Sequence, residues 1–286
     1  MIVDLARGDA GAKSLRLLNG FCQIHRLFLH LLDTDAALRD LVEYRLRKFI
    51  LEGATAKDEC PNLGEWLVLL AVSDSFSWEE ASGRYLDESA ARNVRWYGRD
   101  NPQLIATTST GSLALISDKQ RCAMVFDATR VSRGLLCFST FFLQNVARPE
   151  GRSLAQVARD LDRRMGQPAP ECLARLQDAA RRIDKIASWE QYYTWIGCPA
   201  PSSESELAAT LRAAVTRSLA RGYHQPPPAS GGSDLAWRRG GHGRGGGHGR
   251  GAGGAHGGRA GRGFGRGFGG RGRGYGGRHN HQEPDE

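Results

Sequence analysis

Residues 14–32 read SLRLLNGFCQIHRLFLHLL, and this stretch decides the fold class. Its polar side chains recur at intervals of three and four residues: Arg16, Asn19, Gln23, Arg26 and His30. That spacing keeps them on one narrow stripe of an α-helix, because successive helical residues turn by about 100°. Nearly every other position carries Leu, Phe, Ile or Cys, so we predict a helix with most of its circumference buried.

Two capping boxes predict where further helices begin. Residues 77–80 read Ser-Trp-Glu-Glu and residues 153–156 read Ser-Leu-Ala-Gln. In such a box the serine hydroxyl accepts a backbone N–H, and the fourth side chain returns to the serine N–H. The first box predicts a helix to about Arg99, and the second predicts one to about Met165. Apolar periodicity and turn residues predict additional helices near 35–51, 61–72, 132–148, 173–195 and 203–219.

Residues 103–130 carry the weakest helical pattern. A polar run at 107–111 (Thr-Thr-Ser-Thr-Gly) precedes two apolar segments, Leu113 to Ile116 and Cys122 to Phe126, that fit a small β-hairpin. The expected fold class is therefore mainly α: a multi-helix globular domain, with one small β-hairpin near 103–130 as an open alternative, plus a disordered C-terminal tail.

Composition divides the chain into three segments: a helical globular domain (1–222), a linker rich in Pro, Gly and Ser (223–237) and a tail (238–286). A body of this size can bury an independent core. The sequence leaves open whether that body is subdivided near 150–170. Residues 235–286 hold ten arginines and three acids, which leaves 29 basic and 28 acidic residues for the rest. The net charge of +8 therefore belongs almost entirely to the tail.

The tail carries a specific chemistry. Between Arg238 and Arg278, 22 of 41 residues are glycine and ten are arginine, with no acid or lysine. Three aromatic rings cannot offset the entropy of ordering so many glycines, so we expect disorder. Guanidinium groups grip phosphates and stack on bases, and aromatic rings add stacking platforms. The predicted nucleic-acid-binding side chains are Arg239, Arg244, Arg250, Arg262, Phe264, Arg266, Phe268, Arg271, Arg273, Tyr275 and Arg278.

This segment resembles the RGG-box, or glycine–arginine-rich, tails of fibrillarin-like, nucleolin-like and heterogeneous nuclear ribonucleoprotein-like proteins. The resemblance covers about 41 of the 286 residues and does not extend to 1–222. In those families the tail binds RNA, contacts partner proteins, promotes condensation and is methylated on arginine. The resemblance implies single-stranded RNA, ribonucleoprotein components and a protein arginine methyltransferase as partners. An inert solubilising tail is the alternative, but the near-exclusive use of arginine with aromatics argues against it.

Patterns of catalysis are absent from the body's sequence. No glycine-rich phosphate loop, GxSxG, HExxH or paired-cysteine pattern occurs. Cys22 beside His25, and Cys60 and Cys198 before prolines, are candidate nucleophiles, yet packing thiols are the favoured interpretation. The histidines of the tail are irregularly spaced, so we interpret them as polar residues without a bound metal. We expect no enzymatic activity, no catalytic residue, no cofactor and no metal.

One predicted helix, 78–99, concentrates aromatic residues. We expect its four rings to be core and boundary residues and not base-stacking groups: Trp78, Tyr85, Trp96 and Tyr97. Glu80–Arg84 and Glu88–Arg92 are spaced as ion pairs of a solvated face. A weaker alternative is a second RNA or partner surface formed by Arg92, Arg95 and Arg99.

Location and function follow as expectations. The N-terminus lacks a secretory pattern, the most apolar stretch is too polar for a membrane span, and the six scattered cysteines suggest free thiols. We therefore expect an intracellular protein, cytoplasmic or nuclear, with no membrane partner. The expected function is non-enzymatic RNA association through the tail, with the helical domain adding selectivity or a partner contact. The alternative is a helical protein–protein adaptor with an arginine-methylated regulatory or condensation tail.

Overall fold

The computed structural model describes residues 12–53, 61–106 and 116–224. Within these ranges the chain forms ten α-helices and no strand, which confirms the mainly α fold class. The helices are α1 (Ala12–Thr34), α2 (Ala36–Arg47), α3 (Leu63–Leu70), α4 (Trp78–Asp100), α5 (Asp118–Ala128), α6 (Arg130–Phe142), α7 (Leu154–Arg163), α8 (Cys172–Ile183), α9 (Trp189–Trp195) and α10 (Glu204–Ala220). Short π-helical turns extend α2 (Lys48–Glu52) and α6 (Leu143–Ala147), and a 3-10 turn (Pro102–Leu104) follows α4.

Both predicted capping boxes form. The Ser77 hydroxyl accepts the Glu80 N–H at 3.4 Å, and the Glu80 carboxylate accepts the Ser77 N–H at 2.8 Å. The Ser153 hydroxyl accepts the Gln156 N–H at 3.3 Å, and the Gln156 side-chain oxygen accepts the Ser153 N–H at 2.8 Å. These bonds satisfy backbone donors that the first helical turn leaves unpaired. The starts of α4 and α7 are therefore confirmed.

The predicted second strand of the hairpin is wrong, because Cys122 to Phe126 lies inside α5. A serine N-cap begins this helix: the Ser117 hydroxyl accepts the Gln120 N–H at 3.2 Å. Cys122 and Val125, three residues apart, then face the core. The polar run 107–111 and the first apolar segment, apart from Ile116, lie outside the described residues.

Buried apolar side chains form two clusters in the described part of the chain. The larger cluster combines α1, α2, α3, the first half of α4 and α6 to α9. The smaller cluster combines the second half of α4 with α5 and α10. Trp189 and Tyr193 pack against both clusters. Helices before and after residues 150–170 share the larger cluster. The long helix α4 contributes buried side chains to both clusters.

The first helix differs from its prediction, because one of its apolar sides is exposed. Its opposite side packs into the larger cluster through Leu18, Cys22, His25, Leu29 and Leu32. Another part of the chain contacts the polar stripe. Arg26 pairs with Asp162 at 2.5 Å, and the Gln23 amide donates to the Met165 carbonyl at 2.7 Å. These contacts place α7 against the polar stripe and leave an apolar stripe open to solvent. The expectation that most of the circumference is buried is therefore wrong.

None of the helices in the described ranges carries an apolar run long enough to cross a lipid bilayer.

Candidate nucleic-acid interface

All predicted nucleic-acid-binding side chains of the tail lie outside the described residues. Their assignment therefore stays a prediction from sequence. The described helices nevertheless contain one surface that combines an exposed ring with free positive charge.

That surface lies near the end of α4 and is centred on Trp96. The Trp96 side chain is 58% exposed, whereas its neighbours Val94 and Tyr97 are buried in the smaller cluster. The guanidinium groups of Arg95 and Arg99 lie 5.6 Å and 5.8 Å from the centre of the Trp96 indole ring. Such distances permit cation–π attraction, worth about 0.5–1 kcal/mol at an exposed site. The result is a solvent-facing aromatic platform flanked by two cations.

The two arginines differ in how much of their charge is free. Arg99 also bonds the Asp100 carboxylate at 3.0 Å, and this bond raises the pKa of Arg99 and lowers the pKa of Asp100. Arg95 has no carboxylate partner among the described residues. An exposed indole can stack on a nucleobase while an adjacent guanidinium contacts the phosphate. We call Arg95, Trp96 and Arg99 the Trp96 platform.

Arg92 does not belong to this surface, although its position on the helix suggested so. Its guanidinium donates to the Glu88 carboxylate at 2.6 Å and to the Pro61 carbonyl at 2.8 Å. Glu88 is only 1% exposed and the Arg92 side chain 31%, so the Glu88–Arg92 pair is partly buried and the predicted solvated face is wrong there. Arg84 reaches the Ile50 carbonyl at 3.4 Å.

The other three aromatic side chains of α4 are core residues, as predicted. Trp78, Tyr85 and Tyr97 are all buried, and the Trp78 indole N–H donates to the Ile196 carbonyl at 2.6 Å. Trp96 is the exception, because its side chain is 58% exposed. The positions of the aromatic residues along the helix do not distinguish the exposed ring from the three buried ones. The difference in exposure arises from the elements that pack against each half of α4.

The cysteine and histidine candidates sit in environments that favour packing. Burial raises the pKa of the Cys22 thiol to about 11 and lowers the pKa of His25, so both side chains are neutral near pH 7. The His25 Nε2 bonds the Ala147 carbonyl at 2.8 Å. Burial also raises the pKa of Cys198, and Cys60 lies outside the described residues. The environments of Cys22 and Cys198 therefore disfavour a thiolate nucleophile.

Two open depressions mark the described surface. One of about 610 Å³ lies between α8 and α9 and is lined by Arg182, Lys185 and Trp195, with the Arg182 guanidinium 5.1 Å from the Trp195 ring centre. The other, about 430 Å³, lies between α1 and α7 beside Arg26 and Arg159. The described ranges contain no group of three side chains arranged to hold a metal ion.

Comparison of the chain with protein-family models, with curated proteins and with solved structures finds no match in any of the three. The described residues define an all-α fold.

Proposed function

We propose that this protein is a non-enzymatic RNA-associated protein of the cytoplasm or nucleus. Its Arg/Gly-rich segment, 238–278, binds phosphates and bases of single-stranded RNA with low sequence specificity. The observation that carries the proposal is the separation of charge: ten arginines without an acid or lysine lie in that segment, while residues 1–234 are nearly neutral. Arginine interleaved with Phe264, Phe268 and Tyr275 suits a polyanion with exposed bases.

The helical domain supplies a second, smaller contact in this proposal. The Trp96 platform offers one ring and two guanidinium groups on a regular helix. A fixed ring restricts the geometry of the base that stacks on it, so this contact would add selectivity to the tail's general affinity.

The test is the salt dependence of RNA binding by the full chain. Each phosphate neutralised on a single strand contributes about 0.7 to the slope of log affinity against log salt, so engagement of all ten tail arginines gives a slope of up to about 7. Changing the ten tail arginines to glutamine should remove most of that slope and most of the affinity. Fluorescence anisotropy with a labelled single-stranded RNA measures both quantities.

A matched variant separates the effect of positive charge from the effect of contacts that only a guanidinium group makes. Replacing the same ten arginines by lysine keeps the salt slope but removes bidentate and stacking contacts, so we expect weaker binding with a nearly unchanged slope. If the glutamine variant binds RNA with the affinity and slope of the natural chain, the tail is not the RNA-binding element. If the glutamine variant and the natural chain recover the same protein partners, without RNA, this result would instead favour the adaptor function.

A further inference from the structure

An uninterrupted apolar row lies on the exposed side of α1. Gly20, Ile24, Leu27 and Leu31 follow one another at intervals of four, three and four residues, which places them on one stripe of the helix. Ile24 is 70% exposed, Leu27 57% and Leu31 42%. We call these four residues the open face of α1.

The open face is more than scattered surface apolarity. Single exposed apolar side chains are ordinary, whereas a contiguous row indicates a binding surface. Intervals of three and four are those of the seam in paired helices, where side chains of one helix fill spaces on the other. With 23 residues, α1 is about 34 Å long, enough for several turns of helix pairing.

The spacing is also symmetric, and this identifies the partner. The midpoint of the row lies between Ile24 and Leu27, so a second α1 running antiparallel places Ile24 opposite Leu27 and Gly20 opposite Leu31. A Cβ added at Gly20 would meet nothing within 4 Å, so this glycine leaves open space on the face. Each copy therefore presents a gap at one end of the row and a large side chain at the other, as a self-complementary twofold contact requires.

Charge at the two ends of the helix fits the same register. Arg16 is exposed near the N-terminus of α1 and has no carboxylate partner among the described residues. In the antiparallel register it lies opposite position 35, an exposed aspartate that follows the C-terminus of α1 and caps α2. The first turn of α1 has no acid and its last turn has no base, so its own charges leave the helix dipole uncompensated. Antiparallel pairing brings each positive end against a negative end.

We propose that two copies of this chain form a twofold-symmetric dimer by antiparallel pairing of the open faces of α1. The first test is the mass of nuclease-treated full-length protein, measured by sedimentation at a salt concentration that suppresses binding to polyanions. We expect concentration-dependent formation of a species with twice the chain mass of 31.2 kDa. A single-chain mass at every concentration would overturn the proposal.

The second test places a charge in the proposed contact. Ile24→Glu should weaken self-association at least about a hundredfold, because the carboxylate would be buried against Leu27 without a partner. Val131→Glu is the matched control, since Val131 is 76% exposed on α6, outside the open face. Equal self-association by the two variants contradicts the assignment of the surface. Circular dichroism checks that Ile24→Glu keeps its helical signal. If that signal is lost, Gly20→Gln is used in place of Ile24→Glu.

Gly20→Gln tests the gap without placing a charge on the surface. Glutamine forms helices better than glycine, so this change should not unfold α1. It should weaken the dimer about tenfold, because the gap that receives Leu31 is filled. Gly83→Gln, at another exposed helical glycine with open space around it, is expected to leave self-association unchanged. Unchanged self-association in both variants would contradict the predicted gap.

Orientation has its own test. Arg16→Gln and Asp35→Asn, which keeps the helix cap of α2, should each weaken the dimer a few-fold, and the double variant should be no weaker than either single one. In a mixture of Ile24→Cys and Leu27→Cys chains, oxidation should link the two kinds of chain preferentially. Preferential linking of like chains would contradict antiparallel pairing. A monomer whose Ile24→Cys thiol resists alkylation would mean that another part of the same chain covers the face.

Discussion

The carboxylate of Glu88, midway along α4, accepts a hydrogen bond from the guanidinium of Arg221, which follows the last residue of α10. The same carboxylate accepts from Arg92 and from the Tyr223 hydroxyl. Glu88 is 1% exposed and the Arg221 side chain 12%. One buried acid therefore joins three donors and fixes the end of α10 to the middle of α4.

Removing the charge of Glu88 should be costly, because Arg92 would lose its counter-charge and Arg221 would lose its bond to the Glu88 carboxylate in a poorly solvated place. We expect Glu88→Gln to lower the free energy of unfolding by about 2–3 kcal/mol, less than a fully enclosed pair loses, since Arg92 is 31% exposed. Asp87→Asn is the matched change: the Asp87 pair with Arg217 is 45% and 29% exposed and is worth less than about 1 kcal/mol. Urea unfolding of the full chain measures both, and equal losses would contradict the distinction.

Two glycines of α4 should respond oppositely to alanine. Gly83 faces open space, so Gly83→Ala should raise the free energy of unfolding by about 0.5–1 kcal/mol through helix propensity alone. A Cβ on Gly98 would lie 2.7 Å from the Ile105 Cδ1 and 2.9 Å from its Cγ2. Gly98→Ala should therefore lower the free energy of unfolding by about 1–3 kcal/mol. Thermal and urea unfolding both report the difference, and a stabilising Gly98→Ala would show that Ile105 repacks freely.

The sequence predicts the helix starts well because their cause is local. A capping box depends on residues three apart, so Ser77 and Ser153 identify the starts of α4 and α7 without knowledge of the fold. The hairpin error has the opposite origin. The β-branched and apolar residues before and within α5 suggested strands, but the packing of Cys122 and Val125 against distant α10 decides for helix.

Trp96 shows why the candidate site was only partly predictable. Trp78 and Trp96 are 18 residues apart, which is five helical turns, so both point in the same direction from α4. Trp78 meets the larger cluster, whereas the second half of α4 buries the opposite side, with Val94 and Tyr97, in the smaller cluster. The change of buried side along one helix depends on residues more than 100 positions away in α10, and within α4 only the arginines beside Trp96 (Arg92, Arg95 and Arg99) indicate it.

Burial of His25 makes stability depend on pH. Because its pKa lies below the usual value, the unfolded chain takes up a proton as pH falls through about 6.5 while the folded chain does not. The free energy of unfolding should therefore fall between about pH 7 and pH 5, by at most about 1.4 kcal/mol per pH unit for this group. His25→Gln should flatten that dependence in urea unfolding. His224, whose pKa burial also lowers, should contribute to the slope that remains.

Trp96→Ala tests whether the helical domain touches RNA at all. Loss of a stacking ring costs about 1–3 kcal/mol per base, so the variant should bind single-stranded RNA about fivefold to a hundredfold more weakly. The cost should fall on binding and not on folding, because the ring is already 58% exposed. Tyr44→Ala on α2 removes a ring of equal exposure that has no arginine stacked on it, and we expect it to leave RNA affinity unchanged.

Both variants are best compared in a chain whose ten tail arginines are glutamine, where the strong contribution of the tail no longer masks a weaker contact. Fluorescence anisotropy then reports affinity, and thermal unfolding checks that each variant remains folded. Equal affinities for Trp96→Ala and Tyr44→Ala would assign RNA binding to the tail alone. A loss confined to Trp96→Ala would show that an exposed indole beside two guanidinium groups on α4 recognises a base.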